Sequence, residues 1–125
     1  MEGMLPETDN KESQVFSDSL SSQASALGEL LQEHNGQDIS VMDLRGINNW
    51  TDFFVIATVT SKTHMDGIEK HIKDFCREKK MEILGSTKKN KDDEWRLIDL
   101  GSIIIHLMNK YAREFYELER LWRKT

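Results

Sequence analysis

Cysteine, proline and long apolar runs are almost absent from this chain of 125 residues, which holds 1 cysteine and 1 proline. The single cysteine, Cys76, excludes an internal disulfide and favours a reducing compartment, so we expect a cytoplasmic protein. The longest apolar run, residues 103–108, is far shorter than the ~18 residues that a membrane span needs. No basic segment followed by an apolar stretch indicates a signal peptide at the N-terminus. These absences predict a protein without a membrane partner.

Motifs that carry catalysis are also missing. No run approaches a glycine-rich phosphate loop, and the 4 histidines show no metal-ligand spacing with a cysteine or a cluster of acids. Asp43, Asp52 and Asp99 lie on or beside different predicted strands, and each is interpreted as a turn residue, a cap or an ion-pair partner. The sequence therefore predicts no enzyme, no cofactor and no metal site.

The balance of charge limits the classes of partner. Acidic residues outnumber basic ones, 22 to 17, and the formal net charge is -5. An acidic protein binds DNA or RNA poorly, because that affinity comes mainly from neutralising phosphates. We therefore expect no DNA partner, whereas docking on a basic protein is compatible with this charge.

The length leaves room for one domain. Residues 1–22 are polar and aperiodic, so we predict a disordered N-terminal tail followed by one domain over 23–125. Apolar residues at helical spacing predict helices, and short apolar runs between turn residues predict strands. The predicted helices are 23–34, 61–80 and 110–124, and the predicted strands are 39–44, 53–59, 81–84, 95–100 and 103–108. This order predicts an α/β fold with a mixed β-sheet of about five strands and flanking helices.

The last two predicted strands form a hairpin whose two-residue turn fixes the register. Gly101 at the first central position is typical of a type II′ turn. The turn places Trp95 opposite Met108, and opposed residues share one face of the sheet. One face of the hairpin is apolar, and the other carries Trp95, Leu97, Asp99, Ile104, His106 and Met108. If uncovered, this mixed face has the makeup of a protein-binding patch. Alternatively, a helix covers it and its polar groups are satisfied internally.

The last predicted helix has an apolar stripe at helical spacing, formed by Tyr111, Phe115, Leu118 and Trp122. Glu119 and Arg123 are spaced for an i,i+4 ion pair on the same helix.

Four blocks of sequence match one known family in order and spacing. They read QDISVMDLRG at 37–46, TDFFVIAT at 51–58, WRLIDLG at 95–101 and AREFYELERLW at 112–122. The chain resembles the ribosomal silencing factors, the RsfS or Iojap family, over residues 24–123. It departs from the family pattern at Val59, where glycine is usual, and at Ser102, where aspartate is usual. The second departure removes a turn carboxylate that could meet a basic partner.

The resemblance implies a fold related to the nucleotidyltransferases without their catalytic aspartate pair. It also implies binding to ribosomal protein uL14 of the large ribosomal subunit, which would block association with the small subunit and repress translation. A homodimer of the free protein is implied as well. A divergent nucleotidyltransferase and a generic protein-interaction module are the alternative functions.

The resemblance and the hairpin meet on the mixed face, where Trp95, Leu97, Asp99, His106 and Met108 are the predicted partner-binding residues. The final block adds a second group with two possible roles. Its members are Arg113, Tyr116 and Glu119. They could contact the partner, or they could fix the last helix to the sheet through hydrogen bonds.

Overall fold

The computed structural model describes residues 4–47, 49–88 and 94–121. Helices and strands alternate along these ranges in the mixed order predicted for an α/β fold. The helices are α1 (Met4–Glu33), α2 (Lys62–Glu78), α3 (Lys110–Tyr116) and α4 (Leu118–Leu121). The strands are β1 (Gln37–Asp43), β2 (Phe53–Thr58), β3 (Gly85–Lys88), β4 (Trp95–Asp99) and β5 (Ile103–Met108). No helix in these ranges is long and apolar enough to cross a membrane.

The strands form one 5-stranded sheet in the order β1-β2-β5-β4-β3. β2 and β5 are parallel, and the other neighbours are antiparallel, which confirms the predicted mixed sheet. The hairpin register is also as predicted, with Trp95 opposite Met108 and Leu97 opposite His106. Gly101 adopts a φ of 86°, a left-handed backbone that glycine reaches without strain. The Leu100 N–H closes the turn by donating to the Ile103 carbonyl at 2.9 Å.

The first face of the sheet is covered by α1 and α2. Helical spacing places one stripe of each helix against the sheet, and this interface forms the main core. Its buried side chains include Leu27 and Leu31 from α1, Ile68 and Ile72 from α2, and Ile105 from β5. Cys76 is buried in this core, and its burial raises the pKa of the thiol.

Two boundaries differ from the sequence prediction. α1 begins at Met4 rather than at residue 23, and Leu20 already packs against the core. A helical backbone alone does not require packing against the domain, so the division into an N-terminal tail over 1–22 and one domain over 23–125 stays a prediction. The strand predicted over 81–84 is wrong, because β3 begins at Gly85, where pairing with Asp99 of β4 starts. The pairing partner, rather than the local apolar run, therefore decides this strand.

The predicted final helix is interrupted. Glu117 has a left-handed φ of 45°, which ends α3 and turns the chain before α4 starts at Leu118. The predicted stripe is consequently split, because Leu118 is buried whereas Tyr111 and Phe115 are exposed. Trp122, the other residue of the predicted stripe, and Arg123, the predicted partner of Glu119, lie outside the described residues.

Candidate functional site

The second face of the sheet carries the predicted partner-binding residues, and its centre is buried. Trp95 is 9% exposed and His106 is 3% exposed. The Trp95 Nε1–H donates to His106 Nδ1 at 3.0 Å, and the Phe54 ring meets the imidazole edge-on with centroids 4.4 Å apart. Because an indole N–H can only donate, Nδ1 of His106 is the acceptor. Met108 is also fully buried.

The two short C-terminal helices cover this part of the face. The Asn109 side chain caps α3 by accepting a hydrogen bond from the Ala112 N–H at 2.8 Å. Ala112 and Leu118 then pack beside Trp95 and Met108 in a second hydrophobic cluster, which we call the second core. An open face is therefore the wrong alternative for Trp95, His106 and Met108, and the covered alternative holds for these three residues. Sequence spacing could not reveal this, because the cover depends on the turn at residue 117.

Arg113 makes four hydrogen bonds, two to the sheet and two to Glu119 of α4. Its Nη1–H donates to Thr58 Oγ1 at 3.0 Å, and its Nη2–H donates to the Asp38 carbonyl at 2.7 Å. The same guanidinium meets the Glu119 carboxylate in a two-pronged pair, at 3.0 and 2.7 Å. These are the hydrogen bonds that the fixing role, one of the two predicted for Arg113 and Glu119, requires. Tyr116 has a different place, with its ring 4.7 Å from that of Trp95 and 40% of its surface exposed.

A partly exposed surface remains over the buried centre, and we call it the docking face. Its members are Met42, Trp50, Leu97, Asp99 and Tyr116. Met42 and Leu97 are partly buried and pack against the second core. The Asp99 carboxylate is held in place because its Oδ1 accepts the Gly101 N–H at 2.7 Å. The face thus combines apolar side chains with one oriented carboxylate.

Sequence reasoning missed Trp50, which is 55% exposed. Its ring lies 5.7 Å from that of Phe54, so it extends the docking face at the end opposite Tyr116. The available signal was a large aromatic residue in a polar loop, between Asn49 and Thr51. An aromatic residue at such a position is enriched at protein interfaces.

One further charged cluster lies between the sheet and α2. Arg96 is buried and pairs with Asp66 at 2.6 Å and Glu69 at 2.7 Å, which joins β4 to α2. Hydrogen bonds from Lys62 and then Arg96 lower the pKa of Asp66 to about 2. Across the described ranges, no three side chains of His, Cys, Asp or Glu could hold a metal ion.

The fold is that of a small α/β domain, and its docking face combines apolar side chains with one oriented carboxylate. The model of the family "Ribosomal silencing factor during starvation" matches residues 17–125. The chain therefore belongs to the ribosomal silencing factor family, as its four sequence blocks predicted.

Relatives and solved structures agree with this family. The chain is 38% identical over 96 residues to the Haemophilus influenzae ribosomal silencing factor RsfS, covering 77% of this chain and 93% of that one. It is 36% identical over 104 residues to the Treponema pallidum RsfS, covering 80% and 89%. The mouse protein "Mitochondrial assembly of ribosomal large subunit protein 1" is 37% identical over 95 residues, which cover 74% of this chain and 42% of that protein. A crystal structure from Chromobacterium violaceum has a TM-score of 0.73 at 26% identity, covering 83% of this chain and 88% of that one.

Proposed function

We propose that this protein binds the large ribosomal subunit in the cytoplasm by placing its docking face on ribosomal protein uL14. The observation that carries the proposal is the makeup of that face, with apolar side chains around the oriented carboxylate of Asp99. Apolar anchors supply affinity in a protein interface, and a fixed charge supplies orientation. The family to which the chain belongs supports the ribosome as the partner.

The buried centre supports the docking face mechanically. Trp95 and His106 are joined by a hydrogen bond beneath Tyr116 and Leu97, and Arg113 fixes the covering helices to the strands. A rigid surface loses little side-chain entropy when a partner binds. We therefore assign Trp95, His106, Met108, Arg113 and Glu119 a supporting role and the exposed residues the contact.

The proposed action is steric and requires no chemistry. A domain bound at the subunit interface of the large subunit would occupy space that the small subunit needs, so the two would compete. Inhibition of subunit joining would then follow the occupancy of the site, rising with the ratio of protein concentration to Kd. Translation would fall because fewer joined ribosomes form.

Co-sedimentation with purified large subunits in a sucrose gradient tests the proposal. The wild-type protein should bind near one-to-one and lower the yield of joined ribosomes when small subunits are added. Asp99→Lys should weaken binding, because a lysine would face the basic partner with like charge. Asp74→Lys is the matched control, since Asp74 pairs with Arg77 on the exposed side of α2, behind the opposite face of the sheet.

Two results would contradict the proposal. Co-sedimentation with small subunits and not with large subunits would show that the large subunit is not the partner. Equal binding of large subunits by Asp99→Lys and Asp74→Lys would show that the docking face is not part of the interface.

Sedimentation equilibrium of the free protein tests the homodimer that the resemblance implies. A dimer broken by Asp99→Lys would use the same face and would compete with the ribosome.

A further inference from the structure

α3 exposes aromatic rings that the docking face does not use. Tyr111 is 62% exposed and Phe115 is 66% exposed, and their rings stack with centroids 5.9 Å apart. Phe115 also meets Tyr116 edge-on at 5.0 Å. We call Tyr111 and Phe115 the aromatic strip. Contiguous apolar surface of this kind marks an interaction site more often than single exposed residues do.

A cleft of about 420 Å³ borders this helix, and we call it the acidic groove. Its lining residues are Asp38, Arg113, Glu114, Glu117, Glu119 and Arg120. Both cations are already engaged, because Arg113 pairs with Glu119 at 2.7 Å and Arg120 pairs with Glu117 at 3.5 Å.

The other two carboxylates of the acidic groove belong to Asp38 and Glu114. Within the part of the chain that the structure describes, neither forms a salt bridge with a cation. Glu114 lies three positions after Tyr111 on α3, and residues at this spacing are neighbours on a helix surface. The aromatic strip and the acidic groove therefore adjoin at Glu114.

We propose that the aromatic strip and the acidic groove together bind an arginine-rich segment of another protein. A guanidinium can lie over an aromatic ring while its N–H groups meet a carboxylate, a combination that lysine reproduces less well. The charge of the groove disfavours nucleic acid. It also disfavours a second copy of this chain, because two acidic grooves would face each other across a symmetric contact.

Fluorescence anisotropy with the full chain and a labelled peptide of alternating Arg and Gly tests this proposal. The Arg–Gly peptide should bind several-fold more tightly than a peptide of alternating Lys and Gly. A peptide of alternating Glu and Gly should not bind. Phe115→Ser and Glu114→Gln should each weaken the Arg–Gly complex about fivefold, since each removes roughly 1 kcal/mol of contact. Trp50→Ser is the matched control, an exposed aromatic on the docking face that should leave peptide binding unchanged.

Three outcomes would overturn the inference. They are unchanged peptide binding in Phe115→Ser, equal affinity for the Arg–Gly and Lys–Gly peptides, and self-association that Phe115→Ser abolishes while no peptide binds. Thermal melting should show that both variants fold normally, because the replaced side chains are exposed. Asp99→Lys separates the two proposals, since it should weaken binding to large subunits and leave the Arg–Gly peptide bound.

Discussion

Replacing Arg113 by alanine tests whether this residue fixes the C-terminal helices or contacts the partner. Arg113→Ala removes four hydrogen bonds, to Thr58, to the Asp38 carbonyl and twice to Glu119. A hydrogen bond to a charged group contributes about 1.5–3 kcal/mol when buried. The Glu119 side chain is 33% exposed, so its pair with Arg113 is partly screened and contributes about 1 kcal/mol. The bond to Thr58 is only partly buried and the bond to the Asp38 carbonyl is exposed, so each is counted at about 1 kcal/mol, which gives a total loss of about 3 kcal/mol.

Thermal unfolding followed by circular dichroism is the assay for this change. For a domain of this size, 1 kcal/mol corresponds to roughly 4–8 °C, so a loss of about 3 kcal/mol should lower Tm by about 12–24 °C. Arg113→Lys should lie between the wild type and alanine, because lysine keeps the charge but loses the two-pronged geometry. Arg120→Ala is the matched control, since the Arg120 side chain is 78% exposed and its pair with Glu117 is 3.5 Å long.

The result that would refute this reasoning is a Tm for Arg113→Ala within about 3 °C of the wild type, similar to Arg120→Ala. If such a stable variant also failed to sediment with large subunits, Arg113 would be a contact residue. A stable Arg113→Ala that binds normally would assign the residue neither role.

Three further predictions use the same melting assay. Trp95→Ala should cost about 3–5 kcal/mol because it empties a buried site, and Trp95→Phe should cost about 1–2 kcal/mol because His106 Nδ1 loses its donor; an unchanged Tm would mean that the ring is not core. The pKa of Asp66 is lowered from 3.8 to about 2, so its contribution to stability is present above pH 3.8 and is lost as the pH falls towards 2. The Tm difference between wild type and Asp66→Asn should shrink over that window, and a constant difference would contradict it. Removing residues 1–18 should lower Tm by less than about 5 °C, and a larger drop would show that this segment packs.

The hairpin shows which parts of the fold the sequence could predict. A two-residue turn leaves only one register for the strands that flank it, so the pairs from Trp95 to Asp99 followed from Gly101 alone. The helix predicted over 61–80 was equally local, because apolar residues at helical spacing indicated it, and four residues of α2 are buried on one face. Both features depend on residues close together in the sequence, and both are confirmed.

The errors arise where distant residues decide the backbone. Nothing near residue 85 indicates that β3 must start there, because its start is set by pairing with Asp99. The break after Tyr116 has a similar cause, since the Glu119 pair and the contacts to Thr58 and Asp38 stabilise a left-handed residue that local preference disfavours. A non-glycine residue in that region costs of order 1–3 kcal/mol and persists only when its surroundings compensate for it.

That break also explains why several of the predicted partner-binding residues are buried. The turn at Glu117 brings Leu118 onto Trp95 and Met108, which converts the predicted anchors into the buried centre beneath the docking face. Tyr111 and Phe115 stay exposed, although their spacing with Leu118 predicted one apolar stripe. A change that lets α3 run straight through residue 117 should therefore expose the second core and the predicted anchors together. Arg113 opposes that change, so the stability of its hydrogen bonds and the shape of the docking face are expected to vary together.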